Sequence, residues 1–348
     1  MVLYDGPVPE GAGPFRLVEP LGILAGAEAA AGVAAGAALW LAGGPLAFTL
    51  VRVDGAVAPA LGAPAQWASG VAGLCEPAPD WAGLGPGPLV MGILNVTPDS
   101  FSDGGRFVDT AAAIAAGERM LVQGVDVLDV GGESTRPGSE GVGEEVEQAR
   151  VLPVIEALAR AGAVISVDTR NAATMRLAVE RGARIVNDVS GLLHDPAALA
   201  MVALLRCPVI LMHMRGTPAT MNSLACYGDV VGEVYAELTV RAAAAEAAGV
   251  SREAIAIDPG FGFAKDAGQN LELMRRLPAL LGMGRPIAAG ISRKATIGML
   301  SGETDAARRG PGSVAAALFA LSHGARIVRV HDVAETIQAV RVWRGVVG

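Results

Sequence analysis

The chain has 348 residues, 52% of them hydrophobic and 18% charged, with a formal net charge of −8 and a pI of about 5.1. A single α/β domain of roughly 250 residues plus an extension fits that length. The acidic balance argues against nucleic-acid binding, which needs a basic patch or stripe, but leaves room for a small anionic substrate held by a few converging Arg and Lys.

Residues 1–85 lack any repeating rhythm and read as an accessory α/β extension. The expected elements there are a helix over about 25–37 and a strand from Pro45 to Val53. Residues 29–51 carry no charge, yet they are mostly Ala and Gly and are broken at Gly43-Gly44-Pro45. A membrane span is therefore not expected. The Met1 end has no basic n-region, so no secretory signal is expected either. Cys75, Cys207 and Cys226 have no metal-ligand spacing and read as reduced thiols of a cytoplasmic protein. The Pro/Gly-rich passage from Glu76 to Pro88 reads as a linker.

From residue 89 the chain alternates regularly. Apolar strand-like runs occur at Leu89 to Leu94, Val125 to Val130, Ala163 to Val167, Ala183 to Val186, Pro208 to Met212, Ala254 to Ile257, Pro286 to Gly290 and Ala325 to Val330. Helical patterns separate or follow them at about 109–123, 143–161, 171–181, 196–205, 228–249, 268–281, 312–323 and 332–344. Gly124, Gly162, Gly182 and Gly249 close helices just before the next strand. Eight such units over residues 89–348 predict a (β/α)8 TIM barrel, with chemistry at the C-terminal strand ends.

Polar residues gather at those ends. Asn95 opens the segment Asn95-Val96-Thr97-Pro98-Asp99-Ser100-Phe101-Ser102-Asp103-Gly104-Gly105, a loop able to offer a carboxamide to a metal or anion. A capped turn would use the same residues. The second strand runs into Gly131-Gly132-Glu133-Ser134-Thr135-Arg136-Pro137-Gly138. Small residues there admit a ligand to the backbone, and Arg136 offers a planar fork to phosphate or carboxylate. Asp168, Asn187 and Asp258 follow the third, fourth and sixth strands. Each alone would serve as a helix cap, but together they suit the donors and acceptors of a polar heterocycle. Phe263, in Asp258-Pro259-Gly260-Phe261-Gly262-Phe263-Ala264-Lys265, would stack on a flat ring or tuck into the core. Ser292-Arg293-Lys294 and Arg329-Val330-His331 place cationic groups after the seventh and eighth strands, a frequent phosphate quarter of such barrels. Gly310-Pro311-Gly312-Ser313 opens a helix that would add anion affinity if it points inward. His213 reads as a residue behind the site or in the core, and His323 as structural.

These segments, with Ser166-Val167-Asp168-Thr169, Val186-Asn187-Asp188-Val189 and Met212-His213-Met214, resemble the dihydropteroate synthase family in family order over residues 89 to about 345. The resemblance implies joining of 6-hydroxymethyl-7,8-dihydropterin diphosphate to 4-aminobenzoate, with release of diphosphate. It implies that Asp168, Asn187, Met212, Asp258 and Lys294 hold the pterin. It assigns Asn95, Arg136, Arg329 and His331 to diphosphate, with Mg2+ as cofactor at Asn95. Thr135, Pro137, Phe263, Ser292 and Lys294 would border the aminobenzoate site, where sulfonamides bind in this family. Asp168, Lys294 and Arg136 are the implied catalytic residues, and a homodimer is implied. Ala295-Thr296 departs from the family, which often carries Ser or a larger residue and then an aromatic. A methyltetrahydrofolate-corrinoid methyltransferase shares the pterin set but has no use for Arg136, Lys294, Arg329 and His331 together. A non-catalytic pterin-binding subunit would be free to lose Asn95, which this chain keeps.

Overall fold

The structure, a computed structural model, describes residues 17–97, 106–134 and 142–347. The extension is richer than its composition suggests. It contains β1 (Glu19–Leu24), α1 (Gly26–Ala34), β2 (Leu39–Trp40), β3 (Ala47–Val53), β4 (Ala56–Pro59) and α2 (Ala68–Cys75). β1 pairs antiparallel with β3, and β2 and β4 also pair with β3. The missed hairpin between β3 and β4 turns on Asp54-Gly55, both at positive φ. Asp-Gly between two strands is the residue pair such a turn prefers.

The extension packs onto the barrel rather than standing apart. Val18, Phe48, Val51 and Leu74 join one buried apolar cluster with Val234, Leu238 and Leu280 of the barrel's outer layer. Arg276 adds a two-pronged bond to Glu19, at 2.8 and 2.9 Å. Burial pushes the Glu19 carboxyl up, but Arg276 and Arg52 outweigh it and hold it below the usual range.

The barrel strands are β5 (Leu89–Asn95), β6 (Val127–Gly131), β7 (Ile165–Asp168), β8 (Ile185–Asp188), β9 (Val209–Met212), β10 (Ile255–Asp258), β11 (Ala288–Ala289) and β12 (Ile327–Val330). They run parallel in the order β10-β9-β8-β7-β6-β5-β12-β11. A parallel bridge, Ile257 to Ile287, brings the two ends of the sheet together. The helices are α3 (Arg106–Gln123), α4 (Glu144–Arg160), α5 (Ala172–Glu180), α6 (Ala198–Leu205), α7 (Val230–Ala247), α8 (Ala267–Arg275), α9 (Ala295–Ser301), α10 (Gly310–Ser322) and α11 (Val333–Val347). The helix expected over 268–281 stops at Arg275, and a 3₁₀ run, Leu277–Met283, follows with Pro278 in its first turn. Pro278 has no N–H to continue the α-helical ladder. α9 is an additional helix; Gly302, at φ 75°, ends it. The four glycines expected to close helices all take positive φ. No helix among the described residues is long and apolar enough to cross a membrane. The three cysteines are free thiols.

The passage read as a linker forms the barrel floor. Trp81 is fully buried among Leu89, Met91, Val127, Ile185, Ile210, Ala256, Ala288 and Ile327, near the N-terminal ends of the strands. Its Nε1 donates to the Ala254 carbonyl at 3.0 Å. Arg326 donates to the carbonyls of Pro79 and Gly85. Trp81→Ala should lower unfolding free energy by about 3–5 kcal/mol. Chemical denaturation reads this directly; a loss below about 1 kcal/mol would mean that other groups seal the floor.

Candidate active site

Strand periodicity builds the site. Successive side chains alternate between the two faces of a strand, so residues two apart share a face. Val127, Ile185, Ile210, Ala256 and Ile327 lie in the floor cluster with Trp81. Two residues further on stand Asp129, Asn187, Met212, Asp258 and Arg329. The intervening Leu128, Val130, Val186, Leu211 and Val328 pack instead in the large cluster beneath the helices. The same sequence pattern therefore fills the floor with aliphatics and aims polar groups into the mouth. Strand register aligns Asn95 with Gly131, Gly131 with Asp168, and Asp168 with Asn187.

Arg329 lies at the centre of a charged network. Its Nε donates to Asp129 Oδ2 and its Nη2 to Asp168 Oδ2, each at 2.6 Å. Asn187 Nδ2 donates to the same Asp129 oxygen at 3.0 Å. Burial pushes the Asp168 carboxyl up to about 7. Arg329 opposes this rise, while the carboxylates of Asp129, Asp188 and Glu147 reinforce it. The Arg329 guanidinium is held in its charged form: burial works against it, but Asp129 and Asp168 outweigh that cost.

Across the mouth, Asp258 Oδ1 accepts from the Gly260 amide at 2.7 Å. Burial raises its pKa against the pull of Lys294. The Lys294 amine donates to the Phe261 carbonyl and sits 4.6 Å from the Phe263 ring centroid. Desolvation lowers that amine to about 8, with Asp258 opposing. Met212 and Phe263 share a small apolar cluster with Val189, Met214, Met221 and Ala264. One side of the mouth is thus polar and the neighbouring side greasy, as a flat heterocycle with polar edges requires.

A buried relay behind the site shapes the Asp258–Lys265 loop. Lys265 donates to Gly260 O at 3.1 Å and to Phe263 O at 3.0 Å, and lies 2.9 Å from His213 Nδ1. His213 Nε2 lies 3.1 Å from Glu237 Oε2, and Arg215 in turn binds Glu237 and Glu233. Burial, with Lys265 adding to it, lowers His213 to about 3, so the ring is neutral. Gly260 is at φ +69°, and a Cβ there would lie 1.9 Å from the His213 carbonyl oxygen. Only glycine lets this loop close against strand β9.

Beyond strands β11 and β12, Ser292 Oγ accepts from the His331 amide at 3.1 Å and lies 3.1 Å from His331 Nδ1. Arg293 does not join the cationic cluster of Lys294 and Arg329. Its Nε donates to Asp332 at 3.1 Å, and its backbone takes φ 59°. Ser313, in the first turn of α10, binds the Arg293 amide and the Arg309 carbonyl. His323 bonds to the Phe319 carbonyl and stacks on that ring, a structural arrangement. Thr135, Arg136 and Pro137, and the first-strand loop from Pro98 to Gly105, lie outside the described residues. Glu133 anchors the described flanks of the second loop, pairing with Arg170 at 2.7 and 3.0 Å and accepting from the Val142 amide.

Sequence reasoning missed Asp129 and the role of Lys265. Asp129 lies inside its strand, not after it, and attention to strand ends passes over it. A lone carboxylate in phase with inward-facing residues was the available signal.

Asn95 is the candidate metal ligand, a hard oxygen donor at the end of β5. Among the described residues no three His, Cys, Asp or Glu side chains converge as a metal cage. A carboxamide oxygen is a hard donor of the kind Mg2+ accepts.

Residues 91–331 match the family described as pterin binding enzyme. The chain is 49% identical over 259 residues to a dihydropteroate synthase of Neisseria meningitidis serogroup C, covering 74% of this chain and 92% of that protein. A dihydropteroate synthase of Xanthomonas albilineans solved with 4-aminobenzoic acid superposes with a TM-score of 0.73 at 49% identity, covering 78% of this chain and 98% of that one. The same organism's synthase in complex with 7,8-dihydropteroate gives a TM-score of 0.70 at 46% identity, with the same coverage.

Proposed function

The chain belongs to the pterin binding enzyme family, among the dihydropteroate synthases, and from that premise we propose how its own residues carry the reaction. It is a transferase of folate biosynthesis that condenses 6-hydroxymethyl-7,8-dihydropterin diphosphate with 4-aminobenzoate, giving 7,8-dihydropteroate and diphosphate. The observation that carries the residue assignment is the convergence of Asp168, Asn187, Asp258, Lys294 and Arg329 in one mouth.

In this reading Asp168, Asn187, Asp258 and Lys294 hold the edge of the pterin, and Met212 lies against its face. Arg329 and His331 hold diphosphate, joined by Arg136. Asn95 would hold Mg2+, which supplies positive charge to the departing diphosphate. The C–O bond breaks with its electron pair leaving on diphosphate, and the methylene carbon becomes a cation conjugated with the pterin ring. Asp168 stabilises that developing charge, and Arg329 and His331 stabilise the negative charge opposite. The 4-aminobenzoate amine then forms the new C–N bond and loses a proton to solvent. No strong base is required, because the amine becomes acidic only after attack. Phe263, Ser292, Lys294, Thr135 and Pro137 border the aminobenzoate, and a sulfonamide is proposed to compete there.

Incubation of the protein with both substrates and Mg2+ should yield 7,8-dihydropteroate by mass spectrometry. Chelating the Mg2+ should abolish the product. Unchanged turnover in chelator would remove the metal from this account.

The proposed location is the cytoplasm and the proposed assembly a homodimer through barrel helices. Met299 and Leu300 on α9, Phe319 on α10, and Val342 and Val346 on α11 are exposed apolar residues on neighbouring helices and support this assembly. Light scattering should give a dimer mass that Val342→Glu with Val346→Glu reduces to a monomer. A monomeric parent protein would contradict this assembly.

A further inference from the structure

We infer that Asp129 is a positioning residue that fixes the Asn187 amide and the Arg329 guanidinium across the barrel mouth, tying the pterin edge to the leaving-group side. The inference rests on the pterin reading of the mouth. One oxygen, Asp129 Oδ2, accepts both from Asn187 Nδ2 at 3.0 Å and from Arg329 Nε at 2.6 Å. A carboxylate oxygen offers only acceptor sites, so Asn187 must present its NH2 group to it. The Asn187 carbonyl is then the group left to face a donor on the ligand. Arg329 is held from two sides, by Asp129 through Nε and by Asp168 through Nη2. Its plane and its reach are therefore set before any ligand arrives.

Stability alone gives no reason for a carboxylate at this position. Asp129 has no exposed surface, and its Oδ1 has no hydrogen-bond partner. Ser166, its cross-strand neighbour, also has a buried, unpartnered hydroxyl. Burying a charge with half its hydrogen bonds missing costs more than packing an apolar side chain of similar size. Asp129 also stands in phase with the floor residue Val127, so it points along the line on which the site is built. It hydrogen-bonds to the two site residues Asn187 and Arg329, and neither Lys294 nor Phe263 is among its hydrogen-bond partners. Its effect should accordingly be one-sided.

Asp129→Asn keeps the shape and removes the charge and the pure-acceptor character. Affinity for 6-hydroxymethyl-7,8-dihydropterin, measured by calorimetry, should fall about tenfold, the size of one oriented hydrogen bond. The KM for 4-aminobenzoate should stay within about twofold while kcat falls at least about tenfold, because Arg329 is no longer fixed in the orientation that meets the departing group. A double-mutant cycle supplies the reading that a merely structural role would not give. In the Asn187→Ala background, Asp129→Asn should cost clearly less pterin affinity than it does in the parent protein. Asp129→Ser serves as the second variant should Asp129→Asn not fold. Fully additive losses, or an equal loss at the aminobenzoate site, would overturn the inference. If the parent protein itself bound no pterin, the pterin reading would fail instead, so the two failures are distinguishable.

Discussion

Asp168→Asn should lower kcat at least about a hundredfold, the scale seen when one preorganised electrostatic group is lost. The substitution keeps size and some of the hydrogen bonding, but it removes the negative charge beside the carbon that becomes cationic. It should not unfold the protein, because burial already makes the ionised form costly and lifts its pKa to about 7. A neutral group there relieves that cost while leaving Arg329 with Asp129 as its partner. The same geometry gives a pH dependence. Below about pH 7 Asp168 takes up a proton and the parent enzyme's rate should fall, whereas an ordinary carboxylate would hold until about pH 4. Rapid-quench kinetics with a parallel melting curve checks both points. Near-normal kcat in Asp168→Asn would reduce the residue to a cap for the following helix.

The second large effect is at Arg329. From sequence, Arg329 and His331 form one diphosphate pair of equal standing. The structure separates them. Arg329→Ala strips the counter-ion from two buried carboxylates, Asp129 and Asp168. Breaking a buried pair from one side costs about 3–5 kcal/mol, so this variant should lose stability as well as affinity for the pterin diphosphate and for the free hydroxymethyl pterin. His331→Ala removes a ring whose Nδ1 lies 3.1 Å from Ser292 Oγ. It should weaken pterin diphosphate about tenfold and leave the free pterin nearly unchanged. Calorimetry with the two ligands decides; identical profiles for the two variants would return them to one role.

The convergence of Asp168, Asn187, Asp258 and Arg329 was legible because the fold places strand ends by rule. Eight apolar runs announced eight strands, and the residues following them came together. Asp168, Asn187, Asp258 and Arg329 needed nothing beyond strand order and a period of two. The extension was harder to read. Gly22 interrupts β1 at φ 62°, and β2 has only two residues, so neither carries a clear alternating pattern. Glu76 to Pro88 has the composition of a linker, and only the lone Trp81 hinted that part of it is buried. Asp129 and Lys265 were obscured for a different reason. Each acts through other residues, and such partners become visible only when distances are known. Arg293 shows the converse: it stands beside Lys294 in sequence, yet its pairing with Asp332 takes it out of the cationic cluster.

The account turns on one mouth that joins two substrates rather than hydrolysing one. The direct measurement is the ratio of 7,8-dihydropteroate formed to diphosphate released, with and without 4-aminobenzoate. A ratio near one, with diphosphate release collapsing when 4-aminobenzoate is omitted, is the predicted result. Steady diphosphate release without 4-aminobenzoate, or binding of the pterin diphosphate with no release under any condition, would contradict it.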